Sequence, residues 1–444
     1  MSQLWVDLVS RGAATVFGLF LFVATTVSLM RTVVIPRALR SSISDTVASA
    51  VIGIAMLLSR MRRTYRGRDA VLAWAGPSII MLQLITWLVL YLFSYGFLLY
   101  GVGGRDYGAA MTQAGSSLFT LGFASAGNSD QTVIDFFAAA TGPIVIAMLI
   151  GFLPTIYSAY LEREVDVSML SAMGGEPAWG PEFLARHALA DDLDAIPDTF
   201  AQWSRWAAAL RMTHITYPVL VWVRSARASR HYAVALLAVL DAAALKLSLN
   251  TTLPRSQSFG ILLHGGQAFE VLYVFQFLKR PWRNRLPFVG LFLGGSEATR
   301  RRAGSLPGWN RGMLATEMAA DMDATRGLDT TVVNALAAGE ERELQITRAD
   351  FDVAVDHVRR SGFPIDRDLD EAWEQFRLAR ARYEFAAYEI IRRLDATPAP
   401  WSGDRRIPTP IEWPTLASDL LPQVGLDDEA DGPHPDHPPT AGPA

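Results

Sequence analysis

The residues of this 444-residue sequence best suited to chemistry form one short run, Asp106 to Ser125. Its first part, with Gly108, Gly115, Ser116, Ser117 and Phe119 spaced along it, predicts a helix over Tyr107–Phe119. Such a helix is roughly 20 Å long at 1.5 Å per residue, enough to dip into a membrane and stop partway. Thr120, Leu121, Gly122, Phe123 and Ala124 follow directly. Non-helical backbone at membrane depth is tolerated only where protein buries it or where it lines a water-filled cavity. The carbonyl oxygens of such a segment can replace the hydration shell of a cation, and the partially negative C-terminal end of the preceding helix favours the same charge.

Flanking elements must hold this run at membrane depth, and the sequence supplies them. Apolar runs at about Ala13–Met30, Val71–Tyr100 and Phe136–Leu161 are each long enough to cross a hydrocarbon core. The first two are separated by Arg31, Arg37, Arg40, Arg60, Arg62, Arg63, Arg66 and Arg68, a cluster that the positive-inside rule assigns to the cytoplasm. The N-terminus is then outside, the Asp106–Ser125 run enters from outside, and the chain beyond Leu161 is cytoplasmic. Only Arg105 stands against Asp106, Asp130 and Asp135 in the outer segment, in keeping with that orientation. The first run reads as a retained helix, since no basic region precedes it and no small-residue cleavage site follows it. Ile43–Leu58 is also apolar but has arginine at both ends, and reads as an interfacial or re-entrant cytoplasmic helix, with a fourth span as the alternative.

From about Asp166 the composition becomes that of a soluble helical domain. The pattern predicts helices over Pro181–Leu189, Thr199–Arg211, His231–Leu249, Gly260–Leu278, Leu314–Thr325, Arg348–Ser361 and Leu369–Leu394, and no strand of useful length. His231–Leu249 and Gly260–Leu278 are apolar enough to span. Asp241, Lys246, His264 and Glu270 favour a protein core instead, because a charge at mid-membrane is expensive, about 2.5–3.5 kcal/mol on insertion scales. The stretch from 403 onward, rich in Pro and Asp, is expected to be a disordered tail.

Several function classes are excluded. A net charge of −4 argues against nucleic-acid binding. The absence of cysteine removes disulfides, thiolate metal sites and cysteine nucleophiles. His187, His214, His231, His264 and His357 stand at no ligand spacing, His434 and His437 lie in the tail, and no metal site or cofactor is expected. No phosphate loop, nucleophile elbow or dinucleotide fingerprint appears, so no enzyme is expected. Glu162/Glu164 and Asp191/Asp192 read as solvated faces, with Glu162-Arg163-Glu164 marking a membrane exit, and Trp203/Trp206 as core packing.

The order span, re-entrant helix, Thr-x-Gly-aromatic, span over residues 71–161 resembles the pore module of potassium-channel-like proteins. That family's filter reads Thr-Val-Gly-Tyr-Gly; Thr120 and Gly122 match it, Leu121 and Phe123 replace Val and Tyr, and Ala124 stands where the second glycine would be. Filter glycines take left-handed angles, so the resemblance implies strain of roughly 1–2 kcal/mol at Ala124. The cytoplasmic part resembles that of an uncharacterised bacterial family of ion-channel-like proteins, through Tyr217-Pro218-Val219-Leu220, Arg224-Ser225, Val239–Leu245, Ala372-Trp373, Arg382-Tyr383-Glu384 and Ala399–Ser402.

The apolar runs, the helical pattern and the resemblance together imply an all-α membrane protein of three transmembrane helices with a re-entrant pore loop (106–125) and a helical cytoplasmic domain. Residues 1–12 would lie outside, 13–165 would form the pore-like domain, 166–402 the cytoplasmic domain and 403–444 the tail. It further implies a homotetramer in a bacterial inner membrane, conducting a monovalent cation, potassium above all, with Thr120–Ala124 as filter and the helix before it as pore helix. Gly142, Pro143, Gly151 and Pro154 in the third span would serve either as a gate hinge or as packing points. The alternative function is a non-conducting membrane anchor whose helical domain binds a ligand or partner not identifiable from sequence.

Overall fold

Helices make up all the regular structure in the computed structural model, which describes residues 2–35, 41–103, 106–124, 129–278 and 344–403; no strand occurs among them. The expected helix Leu314–Thr325, the tail beyond 403, Arg37, Arg40, Arg105, Ser125, His434 and His437 lie outside the described residues.

Helix α1 (Ser2–Leu29), continued by a π turn at Met30–Val34, packs along α4 (Ala75–Gly103). The two run antiparallel: Arg11 donates to the Tyr100 carbonyl at 3.0 Å, Ser94 Oγ to the Gly18 carbonyl at 2.8 Å, and Trp87 Nε1 to Ser28 Oγ at 3.1 Å. Helix α6 (Ser129–Gly174) is antiparallel to α4 in turn, with Tyr95 and Thr141 hydroxyls 2.7 Å apart. At 1.5 Å per residue the 46 residues of α6 extend about 69 Å, more than twice a hydrocarbon core. Pro143 and Pro154 lie inside it without interrupting it.

Five segments are long and apolar enough to cross a membrane, Trp5–Val34, Ser42–Arg60, Tyr65–Gly103, Ser129–Gly174 and Tyr232–Leu249, rather than the three expected. Their surroundings differ. In the most apolar stretches of α1 and α6 only 22% of residues are buried, leaving Phe20, Phe136, Phe137, Ile144 and Ile150 on the surface. Exposed apolar surface on this scale needs lipid or other protein around it, and the protein is membrane-embedded. The stretch Tyr232–Leu249 (α9), by contrast, is 100% buried by its own chain. A helix apolar all round is what the middle of a large domain requires.

Helix α2 (Ser42–Arg60) begins where α1 ends, with Ser41 capping it and Ser28 and Ser41 hydroxyls 2.6 Å apart. It then follows the N-terminal half of α4, packing Val51, Ile52, Ala55 and Met56 on Leu72, Ala75 and Ile79 together with α3 (Tyr65–Leu72). α1 and α2 thus lie end to end along one long helix.

Around α9 stand α7 (Gly180–Leu189), α8 (Ile196–Thr216), α10 (Ser256–Tyr273), α12 (Leu369–Arg380) and α13 (Glu384–Arg393), with α11 (Arg348–Arg360) against α7. Trp203 and Trp206 are both buried here, ring centroids 4.5 Å apart. The expected single helix Leu369–Leu394 is two. The chain turns at 381–383, and Arg380 and Tyr383 on either side of the turn both reach the buried Asp241 carboxylate of α9, Tyr383 donating at 2.8 Å. Asp241 is thus paired inside the protein rather than left bare in an apolar helix.

Candidate functional site

Helix α5 (Tyr107–Leu118) sits between the antiparallel pair α4 and α6. Asp106 starts it, its side chain accepting from the Ala109 amide at 3.1 Å. Small residues then let it nest: Ala110, Ala114 and Ser116 are fully buried beside Gln113 and Leu118. Asp135 of α6 holds its far side, accepting from Gln113 Nε2 at 2.8 Å and from Ser117 Oγ at 2.7 Å. Sequence reasoning placed Asp135 in the outer connection and missed this role. The readable signal was the i, i+4 spacing of Gln113 and Ser117, which puts two donors on one helix face.

The end of α5 determines the shape of the loop. The Thr120 amide donates to Ser117 O at 3.0 Å and the Leu121 amide to Ser116 O at 2.8 Å, which together form a Schellman cap. That motif requires a left-handed residue, and Thr120 supplies it with φ 55°. A β-branched residue in this conformation is strained by about 1–2 kcal/mol. The strain expected at Ala124 is therefore found at Thr120 instead; Ala124 is not left-handed, and Gly122, with φ 73°, is. The cause is local, since the left-handed position is set by where α5 ends. Ser116 carries the loop from both its ends: its carbonyl also accepts from the Gly122 amide at 3.4 Å, and its hydroxyl from the Ala124 amide at 3.0 Å.

Of the expected filter and helix residues, Thr120–Ala124 form this one loop and Gly108, Gly115, Ser116 and Ser117 lie on α5, which stops one residue before Phe119. Leu121 and Phe123 are 61% and 68% exposed in the single chain, and Phe119 is exposed as well. Gly142 of α6 packs against the loop's support: a Cβ there would stand 2.0 Å from the Leu118 carbonyl oxygen. The neighbouring Pro143 lies in the same unbroken helix, and around Gly151, one turn before Pro154, nothing lies within 4 Å of such a Cβ. Gly142 is thus a contact point.

Two buried arginines join these helices to the helical domain. Arg163 of α6 donates to the Leu220 and Val223 carbonyls at 3.0 and 2.8 Å and stacks on Tyr232. It also meets His214 Nε2 at 3.1 Å. Burial, with Arg163 beside it, holds His214 well below the usual histidine range, so the neutral ring accepts this bond. Arg224 pairs with Asp69 of α3 and donates to Tyr65 at 2.7 Å and to the Leu394 carbonyl at 2.8 Å. The residues between, with a 3₁₀ turn at Pro218–Trp222, are anchored to α6 at one end and α3 at the other.

No group of three or more His, Asp or Glu able to hold a metal occurs among the described residues. No family model, curated protein or solved structure matches the chain.

Proposed function

We propose that copies of this chain assemble as a ring, with four the number that suits carbonyls around one ion path, and conduct a monovalent cation, potassium first among them. The observation that carries this reading is a short helix and capped loop, Tyr107–Ala124, held between two antiparallel apolar helices so that it enters and leaves from one end of the bundle. Left-handed backbone at Thr120 and Gly122 but not at Leu121 supports it. Alternation of hand can turn successive carbonyls toward one side, whereas a strand points them alternately. The exposure of Leu121, Phe123 and one flank of α6 in a single chain fits a surface completed by neighbours.

In this reading the spans are residues 13–30, 71–100 and 136–161, with the N-terminus outside a bacterial inner membrane. α2 lies along the inner end of α4, α9 stays within a cytoplasmic domain, and the Arg163 and Arg224 anchors tie that domain to the pore helices. The potassium-channel-like kinship rests on Thr120 and Gly122 with the order of elements around them. The competing reading is a non-conducting membrane anchor with a binding domain. Flux of potassium or rubidium into liposomes containing the purified full-length protein separates the two. Gly122→Val, placing a β-branched residue at φ 73°, is expected to abolish flux while the protein assembles as before. A well-assembled wild type that passes no cation would sink the proposal.

A further inference from the structure

A cavity of about 120 Å³ lies between the membrane helices and the helical domain. Trp87 and Leu149 line it from α4 and α6, Ala48 from α2, and Trp222 and Gln276 from the domain side. One group in its wall is out of place. Gln83 of α4 is only 5% exposed, faces this cavity, and its amide Nε2 has no hydrogen-bond partner among the described residues. Buried polar groups in folded proteins are almost always paired, so an orphaned amide donor aimed into a cavity indicates an occupant that accepts its bond. Most of the wall is aromatic and aliphatic, with Arg31, Ser44 and Asp45 among the polar residues that complete it, and a cavity of about this volume takes a benzene-sized molecule.

We propose that this cavity binds a compact, mainly apolar molecule bearing one carbonyl oxygen, which accepts the Gln83 amide. The depth of the site suggests how such a molecule arrives. Gln83 is twenty residues from the Gly103 end of α4, about 30 Å along the helix and hence about one hydrocarbon thickness away. At that depth the carbonyl belongs either to the ester of a bilayer lipid or to a free small molecule entering from the cytoplasmic side. Either occupant touches both α4 and the Pro218–Trp222 turn, and so bridges the membrane helices and the domain. The site stands whether or not the protein conducts.

The test is fluorine NMR titration of the full-length protein in detergent with two probes of matched shape, 4-fluoroacetophenone and 4-fluoroethylbenzene. The wild type is expected to bind the ketone about tenfold more tightly, the worth of one hydrogen bond. Gln83→Leu, close in shape, is expected to erase that preference by weakening the ketone alone. Ala48→Trp, filling the cavity, is expected to remove saturable binding of both. Lipid retained by the wild type in native mass spectrometry and lost in Ala48→Trp identifies the bilayer as the source and supports the site. Ketone binding without retained lipid identifies a free molecule and supports it equally. Equal affinity for both probes in wild type and Gln83→Leu overturns the proposal. So does probe binding or lipid retention unchanged in Ala48→Trp, or the absence of both ligands from the wild type, which leaves water as the occupant.

Discussion

Replacing Gly142 by alanine tests the support of the loop at its closest contact. The added methyl carbon would lie 2.0 Å from the Leu118 carbonyl oxygen, and ordinary contact begins at 3.4 Å, so α5 and α6 must separate by roughly 1.4 Å. The obstructing atom is backbone at the last residue of α5, which cannot rotate aside as a side chain would. Overpacking of this kind destabilises by about 1–3 kcal/mol. Alanine also gains about 1 kcal/mol over glycine in a helix interior, which works in the opposite direction. Gly151→Ala in the same helix receives that gain without the clash, since nothing lies within 4 Å of the new methyl. The difference between the two variants therefore isolates the contact. Reversible unfolding in mild detergent is expected to place Gly142→Ala below Gly151→Ala by about 1–3 kcal/mol, with flux lost in the first and retained in the second. Equal stability of the two variants would refute the close packing of α6 on the end of α5 and return Gly142 to the role of hinge.

Asp135→Ala removes the acceptor shared by the buried Gln113 amide and the Ser117 hydroxyl. A loss of about 2–3 kcal/mol is expected, together with faster hydrogen exchange of the α5 amides. Thr120→Gly relieves left-handed strain and is expected to stabilise the protein by about 1 kcal/mol, read from the same unfolding curves. Burial pushes the Glu270 carboxyl up from 4.5 to about 7, so the fold favours its neutral form. That contribution is fully present below pH 4.5 and is lost as pH rises through about 7. Glu270→Gln is accordingly expected to keep stability that the wild type loses between about pH 4.5 and 7, up to about 3 kcal/mol, in unfolding measured across that range.

Features governed by local pattern were legible in the sequence. The apolar runs mark α1, α4 and α6, and the apolar stretch after Asp106, short of turn residues, marks the short helix α5. Asp241 and Lys246 pointed to a helix surrounded by protein, and each finds partners inside the domain, Lys246 donating to the Pro254 carbonyl. Features that depend on distant partners were not legible. Arg163 reads as a membrane-exit charge but closes on carbonyls 57 and 60 residues away. Arg224 meets Asp69 across 155 residues. Comparison with a filter motif placed the strain at Ala124, whereas the capping geometry of α5 assigns it to Thr120. α2 packs one face on α3, α4 and the helical domain and leaves Ile54, Leu57 and Leu58 exposed, a division that its composition does not show.

The most direct test of the central claim exploits the absence of cysteine, which makes any introduced thiol unique. Phe123→Cys puts that thiol in the candidate filter loop, and Phe137→Cys puts it on the exposed flank of α6. Cation flux through liposomes containing each variant is measured before and after a membrane-impermeant cationic thiol reagent is added from outside. The account predicts that modification at position 123 stops the flux and that the same reagent leaves the 137 variant conducting. Flux that persists after full modification at position 123, or no flux from the unmodified protein, would contradict it.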